Sequence, residues 1–360
     1  MKPIQRIILI SFSLLFNSCI TQFIPQTNEN KELLVVEGLI TDQPDTNTIK
    51  LSKSLPLGTR SISVPVQGCN VTISDNLGNI FSLTETAAGT YVTDPSKFQG
   101  IIGRFYTLHI NANASNNNFN YQSSPMEMKP VPPIDSVYYE KVTIQESNEF
   151  SAGMEGCQVY LNTHDPTNHC KFYRFEFSET WEYLLPYTAT NNICWVSSKS
   201  KEINIKNTSA FAEDRIMRYP LNFISNITDR LRIKYSILVK QYSLNEDEYL
   251  YWEKLQNITE QIGGLYDIIP SSVPSNVNSL DNPNEKVLGY FSVSASSSKR
   301  IFIKDHFAGV VTPYTNDACF VYTYIFINNI PIKLGTLVRS CIDCTVRGTN
   351  TAPDFWIEGK

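Results

Sequence analysis

No stretch of this sequence is rich in lysine and arginine. Its 30 basic residues are outnumbered by 35 acidic ones, for a formal charge of -5, so the electrostatic footprint that DNA or RNA binding requires is missing. Histidine is scarce: His109, His164, His169 and His306 are the only four, with no HExxH and no spacing that places two on one helical face. A Gly-rich phosphate loop and a GxSxG elbow are also lacking, which removes two common signatures of nucleotide and ester hydrolysis. Neither a metal nor another cofactor is called for. Charged residues make up 18%, below the usual ~25%. Aromatic residues reach 12%, a balance that favours strands over solvated helices.

The N-terminus carries Lys2 and Arg6, then an apolar run from Ile7 to Phe16, then Ser18 directly before Cys19. That order reads as a signal peptide over residues 1–18. The apolar run is too short to cross a ~30 Å hydrocarbon layer, which takes about 20 residues. Leu15-Phe16-Asn17-Ser18-Cys19 resembles a bacterial lipobox, making Cys19 the expected lipidation site and the membrane the expected attachment. Two or three acyl chains hold stably where one binds only marginally. Residues 19–31, with Pro25, Gln26 and several Asn and Thr, read as a tether.

From Leu33 onward the pattern is short and alternating, as in Leu34 to Ile40, Thr48 to Ser52, Cys69 to Ser74 and Phe105 to Ile110. Such strands, separated by turn residues, predict a β-sandwich. Asp75-Asn76-Leu77-Gly78-Asn79 supplies residues that tolerate positive φ and predicts a hairpin. Lys129-Pro130-Val131-Pro132-Pro133-Ile134 cannot continue a central strand, because proline gives no ladder donor. Ser243 and Glu246 fit a capping box, followed by Tyr249, Trp252, Leu255, Ile258 and Ile262 at helical spacing and by Gly263-Gly264. The expected fold is therefore mainly β. An N-terminal immunoglobulin-like β-sandwich over 32–128 leads through a Pro-rich linker at 129–134 to a larger β-rich domain over 135–360, which carries one amphipathic helix near 243–262.

With Cys19 set aside, seven cysteines remain, in a compartment where disulfides persist. An odd number leaves at least one free unless an intermolecular bridge forms, and Cys69 is the candidate free thiol. Cys341-Ile342-Asp343-Cys344 is a CxxC pair. Zinc would need a second pair, and a redox role lacks the helix N-terminus that lowers a thiol pKa. Structural disulfides fit better, with Cys319 joined to Cys341 or Cys344. Glu176, Glu179 and Glu182 could supply the facing carboxyl groups of glycoside hydrolysis, although Glu176, Ser178, Thr180 and Glu182 alternate as one solvated strand face. Trp181, Tyr183 and Tyr187 form the candidate ligand surface, since Trp and Tyr combine large contact area with a polar handle. The competing reading buries Trp181 in the core.

Several phrases in order resemble an uncharacterised family of Bacteroidetes envelope lipoproteins, the domain of unknown function 4249. They include Leu34-Val35-Val36-Glu37-Gly38-Leu39-Ile40-Thr41-Asp42, Tyr173 to Trp181, Cys194-Trp195, Arg218-Tyr219-Pro220-Leu221-Asn222-Phe223-Ile224, Tyr235 to Tyr242, Tyr249 to Trp252, Val287 to Phe291, Cys341 to Cys344 and Pro353-Asp354-Phe355-Trp356. The resemblance implies a lipid-anchored outer-membrane protein that assists a TonB-dependent receptor in capturing a glycan, peptide or other nutrient. It carries over no catalytic residues. Ile20-Thr21-Gln22-Phe23-Ile24 lacks the acidic residues that resemble a surface-export signal, so the tether does not specify which face the protein occupies. A secreted hydrolase and a purely structural envelope protein are the competing expectations.

Overall fold

The computed structural model describes residues 32–54, 63–114, 117–144, 154–185, 191–260, 273, 275–307, 320–327 and 330–356. Cys19, the signal peptide and the tether lie outside them. Alternation governs the first strands: in β1 (Leu34–Ile40) Leu34, Val36 and Ile40 are buried while Glu37 is exposed. The same period places Ile49 and Leu51 of β2 (Thr48–Lys53) and Val71 and Ile73 of β4 (Cys69–Asp75) inside. Residues i and i+2 of a strand share a face, so these elements bury one side and wet the other.

Two six-stranded sheets enclose the first core. One contains β1, β2, β3 (Val64–Pro65), β6 (Thr84–Ala87) and β7 (Thr90–Val92). The other contains β4, β5 (Ile80–Ser82), β8 (Phe105–Ala114), β9 (Asn117–Ser123) and β10 (Met126–Glu127). The hairpin between β4 and β5 forms as predicted: Gly78 has φ +86°, and Asp75 Oδ1 accepts from the Leu77 and Asn79 amides at 3.0 and 2.9 Å.

The second core lies between a three-stranded sheet, β11 (Ile134–Ile144), β12 (Met154–Asp165) and β16 (Asp214–Ser225), and a five-stranded one. The latter contains β13 (Phe172–Leu184), β14 (Ile193–Lys199), β15 (Asn204–Asn207), β17 (Tyr235–Ser243) and β20 (Ser296–Ile303). The chain is thus mainly β and sandwich-like, with one α-helix, α1 (Glu246–Glu260), among the described residues. A hairpin of β21 (Phe320–Ile327) and β22 (Ile330–Leu337) follows.

Two strands from beyond the helix complete the first sandwich. β18 (Val277–Ser279) adds to β9, and β19 (Leu288–Val293) pairs in parallel with β1 before the chain re-enters the second sandwich as β20. The Pro-rich segment at 129–134 is stitched to β17: Ser243 Oγ donates to Lys129 O at 2.7 Å and Gln241 Nε2 to Pro132 O at 2.9 Å. That bond corrects the expected capping box. Ser243 ends β17 instead of capping the helix, and α1 begins at Glu246.

The helix packs against both bodies. Tyr251, Trp252 and Leu255 join the first core, while Tyr249 and Trp252 touch a small cluster with Tyr242 and Leu244. Glu248 is fully buried on the same side, and burial pushes its carboxyl up against the opposing pull of Arg174. The Arg174 guanidinium lies 4.4 Å from the Trp252 ring centre.

Gly289 sits opposite Val36 with φ +83°, and a Cβ there would meet the Val36 carbonyl oxygen at 2.1 Å. Gly78 has a similar φ and nothing within 4 Å. Positive φ alone costs an L-residue roughly 1–2 kcal/mol, and backbone overlap adds to it. Gly289→Ala is therefore expected to lose well over 2 kcal/mol, and Gly78→Ala only about 1 kcal/mol. Urea unfolding of both variants checks this, and equal losses would contradict the close approach of β19 to β1.

Candidate functional site

The outer face of the three-stranded sheet gathers planar side chains, half-buried along β11 and β12 and exposed at Arg218. Along β12, Cys157, Val159, Leu161 and Thr163 are fully buried, which leaves Gln158, Tyr160, Asn162 and His164 on the other side. Tyr138 on β11 is the register partner of Tyr160, and their rings stack with centres 5.5 Å apart. The Arg218 guanidinium lies 4.4 Å from the Tyr160 ring centre, and its NH2 donates to Glu140 Oε2 at 2.6 Å. This hydrogen bond, together with the cation's charge, holds the Glu140 carboxyl below its ordinary range.

Arg218 occupies an irregularity in β16, where the register against β12 shifts. Its φ is +52°, a conformation that non-glycine residues adopt only when their surroundings impose it. The Arg218 amide donates to Asn162 Oδ1 at 2.6 Å, and Asn162 Nδ2 donates to Ser136 Oγ at 2.9 Å. Side chains of two neighbouring strands thus fix the backbone that carries the guanidinium.

Further along β12, His164 Nδ1 lies 2.7 Å from Asp135 Oδ2. His164 also lines a cavity of about 400 Å³ with Asp165, Asn168, Glu213 and Arg215. The carboxylates at its base are tied into the fold. Burial opposes ionisation of Asp165, but the amides of Cys170, Thr167 and His169 and the Thr167 hydroxyl hold its carboxyl down at about 2. Asp214 accepts from Tyr173 Oη at 2.6 Å and Thr208 Oγ1 at 2.7 Å. Among the described residues, no group of three or more His, Cys, Asp or Glu side chains is placed to hold a metal ion.

The candidates named from sequence lie elsewhere. Trp181 and Tyr183 are buried, at 7% and 2% exposure, and form part of the second core. This corrects their reading as a ligand surface; Tyr187 lies outside the described residues. Over Tyr183 lies a C-terminal strap of residues 339–356. Arg347 places its guanidinium 4.4 Å from the Tyr183 ring centre and pairs with Asp229 at 2.7 Å. Thr349 and Trp195 exchange backbone hydrogen bonds, and Lys234 Nζ donates to Trp356 O at 3.2 Å.

The strap is fixed by a disulfide between Cys194 and Cys344, 150 residues apart. Cys344 is therefore paired with Cys194 and not with Cys319. Cys341 is also disulfide-bonded, while Cys319 lies outside the described residues. Cys69 is free, as expected, with its thiol pushed up by burial; Cys157 and Cys170 are free and buried as well.

The three glutamates of β13 do not converge. Glu179 projects to the opposite face from Glu176 and Glu182, as odd spacing on a strand dictates. It accepts from Arg230 NH1 at 3.0 Å and from Tyr235 Oη at 2.7 Å. Glu176 pairs with Arg174 at 3.1 Å. The solvated face expected for Glu176, Ser178, Thr180 and Glu182 is only half-wet, because Thr180 is buried.

Residues 20–300 match the family described as Domain of unknown function (DUF4249). The chain belongs to that family. The matched span of this DUF4249 chain takes in both sandwiches and the outer face around Arg218, and leaves the strap beyond it. No curated protein matches the sequence. The Tyr138, Tyr160 and Arg218 cluster was not singled out from sequence as a site, although Arg218 opens one of the phrases that carried the family resemblance. Its one local signal is Pro220, whose missing N–H goes with an interrupted edge strand.

A cross-link closing so long a loop removes much unfolded-state freedom, roughly 4–5 kcal/mol in the chain-entropy account. The double variant Cys194→Ser/Cys344→Ser is expected to lose several kcal/mol in denaturant unfolding and to open the sheet edge at Trp195 to faster amide exchange. Unchanged stability and exchange would show that the strap is held without its disulfide.

Proposed function

We propose that this DUF4249 chain is a lipid-anchored, non-enzymatic outer-membrane protein that captures a ligand on the outer face of β11, β12 and β16 and passes it to a TonB-dependent receptor. The observation that carries the reading is the Tyr138–Tyr160–Arg218 stack beside the cavity at His164. A strained backbone held by neighbouring side chains is where folds spend stability on recognition. The lipobox-like sequence ending at Cys19 supports attachment to the membrane. The family resemblance supports the receptor as partner.

The hydrolase alternative needs two carboxyl groups flanking one bond. Glu179 is held by Arg230 and Tyr235 on the face of β13 away from Glu176 and Glu182, which weighs against that trio. A purely structural envelope protein would have no use for a strained arginine on an open face.

Two measurements test the proposal together. Cys19→Ala should release the protein from the membrane fraction. The native lipoprotein, purified in gentle detergent, should bring down a TonB-dependent receptor in near-stoichiometric amount by mass spectrometry. A soluble wild type, or recovery of the lipoprotein alone, would count against the reading.

A further inference from the structure

One end of the first sandwich holds a group of large apolar side chains in water. Leu77 is 67% exposed, Ile80 69%, Ile101 46%, Ile102 50% and Phe105 42%. They lie on two turns held side by side: the Asn76 amide donates to Phe105 O at 3.0 Å, and the Phe105 amide donates back to Asn76 Oδ1 at 3.3 Å. Single exposed apolar residues are ordinary, whereas five gathered at one end mark a surface that meets a partner.

The mount beneath these turns is firm. Phe98 packs edge-on against Phe81 and Tyr106, with ring centres 4.9 and 5.8 Å apart. The turn amides are also satisfied from within. Asp75 accepts from Leu77 and Asn79 through its carboxylate and from Gly78 through its carbonyl. In the second turn the Ile101 amide donates to Tyr106 Oη and the Gly103 amide to Met128 O, both at 2.8 Å. Asp75 itself is buried and pairs with Arg104 at 2.8 Å. Hydrocarbon offers no hydrogen bonds, so a segment that enters it must satisfy its amides internally. These turns meet that condition. Glu127 lies across from Phe105 on β10, which limits the apolar depth to the turns themselves.

The expected tether permits the contact. Gly100 donates to Thr41 O at 3.1 Å, so the group sits beside the end of β1 far from Leu34. β1 has 7 residues, about 23 Å at the usual strand rise. Residues 19–31 at full extension reach about 43 Å, so a chain anchored at Cys19 can set this end on the same membrane. A lipid anchor joined to a second membrane contact binds more firmly than either alone.

We infer that this end of the first sandwich inserts shallowly into a phospholipid bilayer, with Leu77, Ile80, Ile101, Ile102 and Phe105 entering the boundary between headgroups and acyl chains. The inference rests on the membrane attachment proposed above and adds a contact that needs no acyl chain.

The test is flotation of the full mature chain carrying Cys19→Ala, free of detergent, with vesicles of three parts phosphatidylethanolamine to one part phosphatidylglycerol. This unacylated chain should float with the vesicles, and about equally with vesicles of neutral phosphatidylcholine. Leu77→Asp and Ile102→Asp should each weaken partitioning at least tenfold. Leu280→Asp, at a position 59% exposed elsewhere in the first sandwich, should leave it unchanged. Unfolding curves that coincide with wild type show that the variants fold. Leu77→Trp should still float and show extra fluorescence quenching by brominated phospholipid, relative to wild type. Absence of flotation by the wild type overturns the inference, as does equal flotation of the folded aspartate variants. A wild-type dimer that Leu77→Asp dissolves, without flotation, would assign the patch to a second copy and overturn it too. So would loss of receptor recovery from the acylated Leu77→Asp protein when the wild type does not float. Release of the Cys19→Ala protein from cells and recovery of the receptor with wild type are read separately, so the capture role can stand when this contact fails.

Discussion

The parallel pairing of β1 with β19 joins the beginning of the folded chain to a segment some 250 residues later. Neither sheet of the first sandwich is complete until β18 and β19 have returned from the far side of α1. The return leads straight into β20, the strand beside β17 at the edge of the five-stranded sheet, so the chain passes from one body to the other and back instead of crossing once through a linker. At their seam the buried Glu248 on the helix and Arg174 on β13 both engage Trp252, whose Nε1 donates to Glu248 Oε1 at 3.3 Å and whose ring centre lies 4.4 Å from the guanidinium. The seam therefore fixes one mutual arrangement.

That arrangement decides which surfaces can do anything. One face of the five-stranded sheet is covered from two directions: the second core lies beneath it, and the disulfide-held strap crosses over Tyr183 and the Trp195 edge. The three-stranded sheet has no such cover among the described residues. Its outer side keeps Tyr138, Tyr160, Asn162 and His164 accessible while its inner side anchors the core through Val137, Val159 and Leu161. A strand pair with one buried and one solvated face gives a rigid mount for recognition groups, and rigid elements hold such groups more accurately than loops do.

The legible part of the sequence was what depends on neighbours along the chain. Alternation in Leu34 to Ile40, the Asp75 to Asn79 hairpin, the prolines at 130–133 and the helix from Glu246 onward could all be read locally, and the family phrases marked two of these segments, the first strand and the helix at Tyr249 to Trp252. What failed to read depended on contacts between distant residues. Tyr183 looks like a surface aromatic until Arg347 folds over it, and Trp181 until the second core takes it in. Cys344 has no local reason to choose Cys194, and Ser243 looks like a helix cap until Lys129 claims its hydroxyl. The outer-face cluster is illegible for a related reason: Tyr138, Tyr160 and Arg218 are individually ordinary and come together only through the register of three strands.

The most direct measurement of this returning-strand architecture is made on residues 32–134 expressed alone and observed by amide NMR and denaturant unfolding. Without β18 and β19 this fragment should give a poorly dispersed spectrum and no cooperative transition, and it should gain both when residues 273–307 are supplied in trans. A dispersed spectrum and cooperative unfolding of 32–134 by itself would contradict the account and make the first sandwich an independent domain.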